Sequence, residues 1–173
     1  MVRHARKGMS AVPLIRRNKI ALDLEFLEVH FRKRRALTAD SKICTGCRTC
    51  ELICSLSHEG FVDPERARIF IKSNPLNGSF IPMVCHQCSD APCYYACPES
   101  AIEIEKALGV VNIRGERCTG CRACEKVCPY HVIRFDPERH TAIKCDLCKG
   151  DPQCVEWCPV NALGVVEFGK GAS

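Results

Sequence analysis

Apolar positions along the chain come in short blocks, not in long periodic stretches. Segments 68–72, 110–113, 132–135 and 141–144 are rich in Ile, Val and Phe and predict short strands. Turn signals separate them, among them Asn74-Pro75 and Gly150-Asp151-Pro152. Short helices are expected at Cys97-Pro98-Glu99-Ser100-Ala101-Ile102 and Cys158-Pro159-Val160-Asn161-Ala162-Leu163. Proline suits a first helical turn, where its missing N–H is no loss. Cys128-Pro129-Tyr130-His131-Val132-Ile133 is a third copy, so the chain carries an internal repeat. Segment 20–31 has two readings. Ile20, Leu24, Leu27 and Phe31 fall at helical spacing, whereas Ile20, Leu22, Leu24 and Phe26 alternate as in a strand. No run of 18 apolar residues is present, so no transmembrane helix is expected.

Composition changes this picture. A chain of 173 residues has room for one domain or two very small ones. Its 46% hydrophobic share counts sixteen cysteines, and aromatics are only 6%. The ordinary oily core is therefore thin, and another source of stability is needed. Cysteine at about 9% marks a disulfide scaffold or a metal protein. The basic N-terminus is not followed by an apolar stretch, so a secretory signal is not expected. Arg16-Arg17 does not make a twin-arginine signal, because Asn18, Lys19, Asp23 and Glu25 interrupt the apolar run that such a signal needs. The chain reads as cytoplasmic, where thiols stay reduced. Its cysteines are then ligands before they are disulfides.

The cysteines form four groups of four with none left over. They are Cys44-x2-Cys47-x2-Cys50-x3-Cys54, Cys85-x2-Cys88-x4-Cys93-x3-Cys97, Cys118-x2-Cys121-x2-Cys124-x3-Cys128 and Cys145-x2-Cys148-x5-Cys154-x3-Cys158. Three thiolates two residues apart can wrap one cubane cluster, and a fourth, three residues on, points away. In two-cluster bacterial ferredoxins that fourth cysteine ligates the other cluster, in a run C-x2-C-x2-C-x3-C-P. The third run matches in full. The second and fourth match with a stretched middle gap, and the first has Ser55 where the others have proline. Structural zinc would use CxxC pairs a dozen or more residues apart. A redox-active CxxC needs a βαβ setting and far fewer cysteines.

These motifs resemble those of the four-cluster, ferredoxin-like electron-transfer subunits of anaerobic oxidoreductases. The resemblance spans residues 38–170. Cys-Thr-Gly-Cys-Arg-Thr-Cys-Glu at 44–51, Cys-Ser-Leu-Ser-His-Glu-Gly at 54–60 and Ala-Ile-Lys-Cys-Asp-Leu-Cys at 142–148 strengthen it. The stretch 54–69, with Pro64, Arg66 and Arg68, looks most like small subunits of tungsten aldehyde oxidoreductases and carbon monoxide dehydrogenases. The resemblance implies four [4Fe-4S] clusters and an α+β fold of two bacterial-ferredoxin-like modules, with short antiparallel strands, short helices and cluster-binding loops. Module A would comprise 37–79 plus 138–173 and module B 80–137, after a basic extension at 1–36.

The resemblance also implies a nested pairing of runs. Cys44, Cys47, Cys50 and Cys158 would hold one cluster, and Cys145, Cys148, Cys154 and Cys54 its neighbour. Cys85, Cys88, Cys93 and Cys128 would hold a third, and Cys118, Cys121, Cys124 and Cys97 the last. Spacing alone does not choose. Nested and sequential pairing both join a regular run to a stretched one.

Charge is unevenly spread. Residues 1–36 hold ten Lys/Arg against Asp23, Glu25 and Glu28, while the whole chain is +5. Each cluster site adds about −2 when its thiolates and core are counted, so the region after 36 becomes strongly acidic. Nucleic-acid binding is not expected. The basic extension reads as a docking segment for an acidic partner or second copy, or as a solvated tail.

His86, between Cys85 and Cys88, and His131 are expected to hydrogen-bond toward cluster sulfur rather than to ligate. Trp157, Tyr94 and Tyr95 are expected to pack as screens. His58-Glu59 lacks the company a catalytic pair needs, and no GxGxxG is present. The reading is a non-catalytic relay between a catalytic subunit and an external acceptor or flavin subunit. A tungsten or molybdenum pterin enzyme is the favoured partner, with tungsten aldehyde oxidoreductase the best guess. Carbon monoxide dehydrogenase, hydrogenase and a free polyferredoxin are the alternatives.

Overall fold

The computed structural model describes residues 34–169. The amphipathic segment 20–31 and most of the basic extension lie outside the described residues. Within them the chain is α+β, with short antiparallel strands and short helices. In order these are β1 (Arg34–Ala39), α1 (Thr49–Glu59), β2 (Phe70–Ser73), β3 (Phe80–Met83), α2 (Pro92–Ala96) and β4 (Ile102–Glu105). They continue as β5 (Val110–Ile113), α3 (Ala123–Val127), β6 (Arg134–Phe135), β7 (Ala142–Ile143), α4 (Gln153–Glu156) and β8 (Leu163–Phe168).

The strands pair two by two: β2 with β3, β4 with β5, β6 with β7, and β1 with β8. The first three are local hairpins. The last closes the chain on itself, with Arg34 opposite Phe168 and Ala39 opposite Leu163. Ala36 and Leu37 are buried in this ladder, and Asp40 N–H extends it to Ala162 O at 2.8 Å. Arg34 to Ala36, grouped by charge with the extension, are thus paired strand. The closure brings the first cysteine run beside the last, and α1 packs against α4 as α2 packs against α3.

Of the expected strands, 110–113 coincides with β5, and the other three overlap β2, β6 and β7 with shifted ends. The expected helices after the fourth cysteines are corrected. The short helices α2 and α3 stop just before Cys97 and Cys128, and α4 ends two residues before Cys158. A turn comes next instead. Ser100, His131 and Asn161 N–H donate back to Cys97, Cys128 and Cys158 carbonyls at 3.4, 3.2 and 3.2 Å. Proline occupies the second position of that turn, which its fixed φ suits. The first run departs from this because α1 continues through Cys54 to Glu59. Proline at position 55 would break that helix. Ser55 is buried there instead, its hydroxyl donating to Glu51 O at 3.1 Å and accepting from Asp63 N–H at 3.0 Å.

The core contains few large side chains. Ile69, Val110, Val111 and Leu147 are almost fully buried, and seven cysteines are buried with them. Cysteine sulfur fills the space that aliphatic side chains occupy in an ordinary domain of this size.

Candidate metal centres

Four cavities are each lined by four cysteines. Site I has Cys44, Cys47, Cys50 and Cys158; site II has Cys54, Cys145, Cys148 and Cys154. Site III has Cys85, Cys88, Cys93 and Cys128; site IV has Cys97, Cys118, Cys121 and Cys124. Their volumes, mouths included, are about 320, 280, 370 and 330 Å³ in that order. In every site three cysteines come from one run and the fourth from another.

The loops share one backbone device. The second residue after each leading cysteine is left-handed: Gly46 (φ 71°), Gln87 (47°), Gly120 (70°) and Leu147 (57°). That twist curls successive residues around one centre. Gly46 and Gly120 have a second reason to be glycine. A Cβ on Gly46 would lie 2.4 Å from the Phe80 ring, and one on Gly120 2.5 Å from the His140 carbonyl oxygen. Gln87 and Leu147 hold the strained conformation because both are 1% exposed and fixed by their surroundings. Gln87 Nε2 donates to Cys145 O at 2.9 Å, and its Oε1 accepts from Val111 N–H at 2.9 Å.

Donors point at the sulfurs. Backbone N–H groups of Ala101 and Ala162 reach Cys97 and Cys158 Sγ at 3.2 Å; each follows a left-handed residue, Ser100 and Asn161. Arg68 and Ala142 N–H reach Cys54 and Cys118 Sγ at 3.3 Å, and Thr49 Oγ1 reaches Cys47 Sγ at 3.4 Å. These bonds favour thiolate sulfur. Burial opposes it, pushing the Cys50, Cys93 and Cys154 thiols up to about 12 and Cys124 up to about 11. The Thr49 hydroxyl, by contrast, holds Cys47 below its ordinary value. Four thiolates in so dry a place need a positive group among them. The donor set, the sulfur-directed N–H groups and the cavity sizes all fit iron–sulfur clusters, and none of the sixteen cysteines is disulfide-linked.

Electrostatic influence between cysteines orders the sites I, II, III, IV as successive neighbours. Charge on Cys50 opposes ionisation of Cys154, which joins site I to site II. Charge on Cys85 acts on Cys145, joining II to III, and charge on Cys124 acts on Cys93, joining III to IV. Cys47 and Cys121 are the exposed cysteines, and they belong to the two end sites.

His58 pairs with Asp146, 88 residues away, rather than with Glu59. Its Nε2 lies 2.9 Å from Asp146 Oδ1, and its Nδ1 lies 2.8 Å from Cys54 O and 3.8 Å from Cys54 Sγ. Carboxylate and carbonyl both accept, so both ring nitrogens carry protons. Burial works against that charge, but the Asp146 hydrogen bond raises His58 to about 9. Arg68 closes the group at 2.6 Å from Asp146 Oδ2, and Glu59 pairs with Arg139 at 2.7 Å. His86 stacks on Tyr130 with centroids 3.9 Å apart, and Tyr94 meets Tyr95 edge to face. Trp157 is 57% exposed, so it is not the buried screen expected beside Cys158. Local sequence does not single out Lys144 and Gln87, two buried polar residues between sites II and III.

The sequence profile of the 4Fe-4S dicluster domain matches residues 76–168. The chain belongs to that family. Its relatives include the polyferredoxin-like subunit of an aliphatic sulfonate oxidoreductase from Pyrococcus furiosus, 43% identical over 115 residues, 66% of this chain and 66% of that one. The electron transport protein HydN of Escherichia coli (strain K12) is 37% identical over 161 residues, covering 79% of this chain and 90% of HydN. Among solved structures, a chain of the active site complex BamBC of benzoyl coenzyme A reductase with zinc is 27% identical. It superposes with a TM-score of 0.50 over 82% of this chain and 83% of that one. The two relatives are named as a polyferredoxin-like subunit and an electron transport protein. Among the described residues of this chain, no helix is long and apolar enough to cross a membrane.

Proposed function

We propose that sites I to IV each hold one [4Fe-4S] cluster through the four cysteines named, and that the chain relays electrons along the row. The observation that carries this reading is the row itself, with four complete cysteine sets and an exposed ligand at each end. A cluster bound at each site supplies a one-electron carrier, its potential set within roughly −700 to +450 mV by its surroundings. The protein's residues hold it, exclude water and aim N–H donors at sulfur. Sites I and II form one ferredoxin-like module (37–79 plus 138–173), and sites III and IV the other (80–137). Every site has four thiols, which argues against substrate binding at an open iron.

The chain serves a catalytic oxidoreductase subunit in this reading. Its likeness to a BamBC chain and to the Pyrococcus furiosus subunit supports that role. A tungsten or molybdenum pterin enzyme of the aldehyde oxidoreductase kind is the partner we favour, on the sequence resemblance alone. The partner hands electrons on through a flavin subunit or external acceptor, in the cytoplasm. The test is oxygen-free purification with iron and sulfide analysis and EPR. About sixteen irons per chain are expected for four cubane clusters; about eight would limit the chain to the dicluster region and sink the four-site relay. Tungsten in the same preparation supports the favoured partner, whereas nickel would turn the reading to carbon monoxide dehydrogenase or hydrogenase.

A further inference from the structure

Lys144 is 2% exposed and precedes Cys145, a ligand of site II, yet its side chain lines site III. Its Nζ donates to Cys145 O at 3.0 Å and to Val111 O. Both acceptors are neutral carbonyls, so neither cancels the ammonium charge. Gln87, of the site III loop, donates to the same Cys145 oxygen. One backbone carbonyl therefore joins the two middle sites, with a buried cation on it. The ammonium thus stands between the lining of site III and the backbone of Cys145 in site II. At site II the nearby cations differ, because Arg68 and His58 both lean on Asp146.

We propose that Lys144 sets the potential of the relay's interior, its fixed positive charge favouring the reduced state at site III. The inference rests on the cluster reading above. Site III takes one electron from its neighbour and passes the same electron on, and no bond forms or breaks. A fixed charge in a dry site acts with little screening. It lowers the energy of the added electron at site III without changing a ligand.

The experiment is redox-poised EPR of the full chain, purified without oxygen, comparing the native protein with Lys144→Gln, Lys144→Met and Lys144→Arg. Cys93→Ser identifies which signal belongs to site III. The neutral variants should shift the reduction equilibrium of that signal at least tenfold toward the oxidised form, about 59 mV for a one-electron couple. Lys144→Arg should stay near the native value, and the site IV signal should not move. Iron content separates the two readings. Full iron with unmoved potentials overturns the Lys144 proposal and leaves the relay standing, while low iron in the native chain sinks the relay itself. If neither neutral variant holds iron but Lys144→Arg does, the lysine is a structural staple and the proposal is overturned.

Discussion

The outer sites and the inner sites are two versions of one loop. Sites I and IV take three cysteines from the regular runs, turn at glycine, and leave Cys47 or Cys121 in solvent. Sites II and III take three from the stretched runs and turn at a buried Leu147 or Gln87. They are wrapped by Lys144 and by the His58–Asp146–Arg68 group. The difference teaches that a stretched gap is not a decayed motif. The stretched runs close on buried plugs, Gln87 and Leu147, where the regular runs close on glycine.

The largest break in this comparison comes from removing a ligand. Cys54→Ala should disturb the cluster held with Cys145 and stop electron passage between the ends, because site II lies inside the row. Cys47→Ala should stop exchange at its own end only. Anaerobic EPR with end-to-end electron-transfer assays distinguishes them; damage confined to the Cys85 set in Cys54→Ala would mean that runs pair sequentially. Next come the loop turns. Leu147→Ala leaves a hole in a buried plug and should cost about 2–5 kcal/mol. Gly120→Ala puts a methyl against a backbone carbonyl in a left-handed turn and should cost about 1–3 kcal/mol. Denaturant midpoints measured without oxygen give that order, and a larger loss for Gly120→Ala would reverse it. The smallest effects contrast side chains beside the sites. Asp146→Asn strips two half-buried cations of their partner and should cost about 1–3 kcal/mol. Arg122→Ala, beside exposed Cys121, loses an exposed pair with Glu125 at 3.3 Å and its place over Phe135, about 0.2–1 kcal/mol. Equal losses would erase the distinction between inside and outside.

Much of the site is legible from spacing, because cluster ligands must sit close along the chain. All sixteen cysteines, their grouping in fours and β5 are readable in this way. Contacts between distant segments are not. β1 and β8 carry weak signals of their own and are strands because they meet, with Arg34 against Phe168. His58 and Asp146 are 88 residues apart, and nothing local hints at their bond. Lys144 reads as a surface lysine until the two middle sites close over it. The proline after the fourth cysteine misleads for a different reason. The same fixed φ suits a helix start and the second place of a turn, and only the preceding helix decides between them.

The antiparallel pairing of β1 with β8 also orders events in time. Sites III and IV draw every cysteine from 85–128, so their ligand sets are complete on a nascent chain once Cys128 has emerged. Sites I and II wait for Cys158 and Cys154, made 114 and 100 residues after Cys44 and Cys54. Synthesis runs from the N-terminus, and long-range closure is slow. The thiols made first are thus the last to be sheltered. Cys44, Cys47 and Cys50 stay open to oxidation and stray metals until the ribosome delivers the strand that closes the ring.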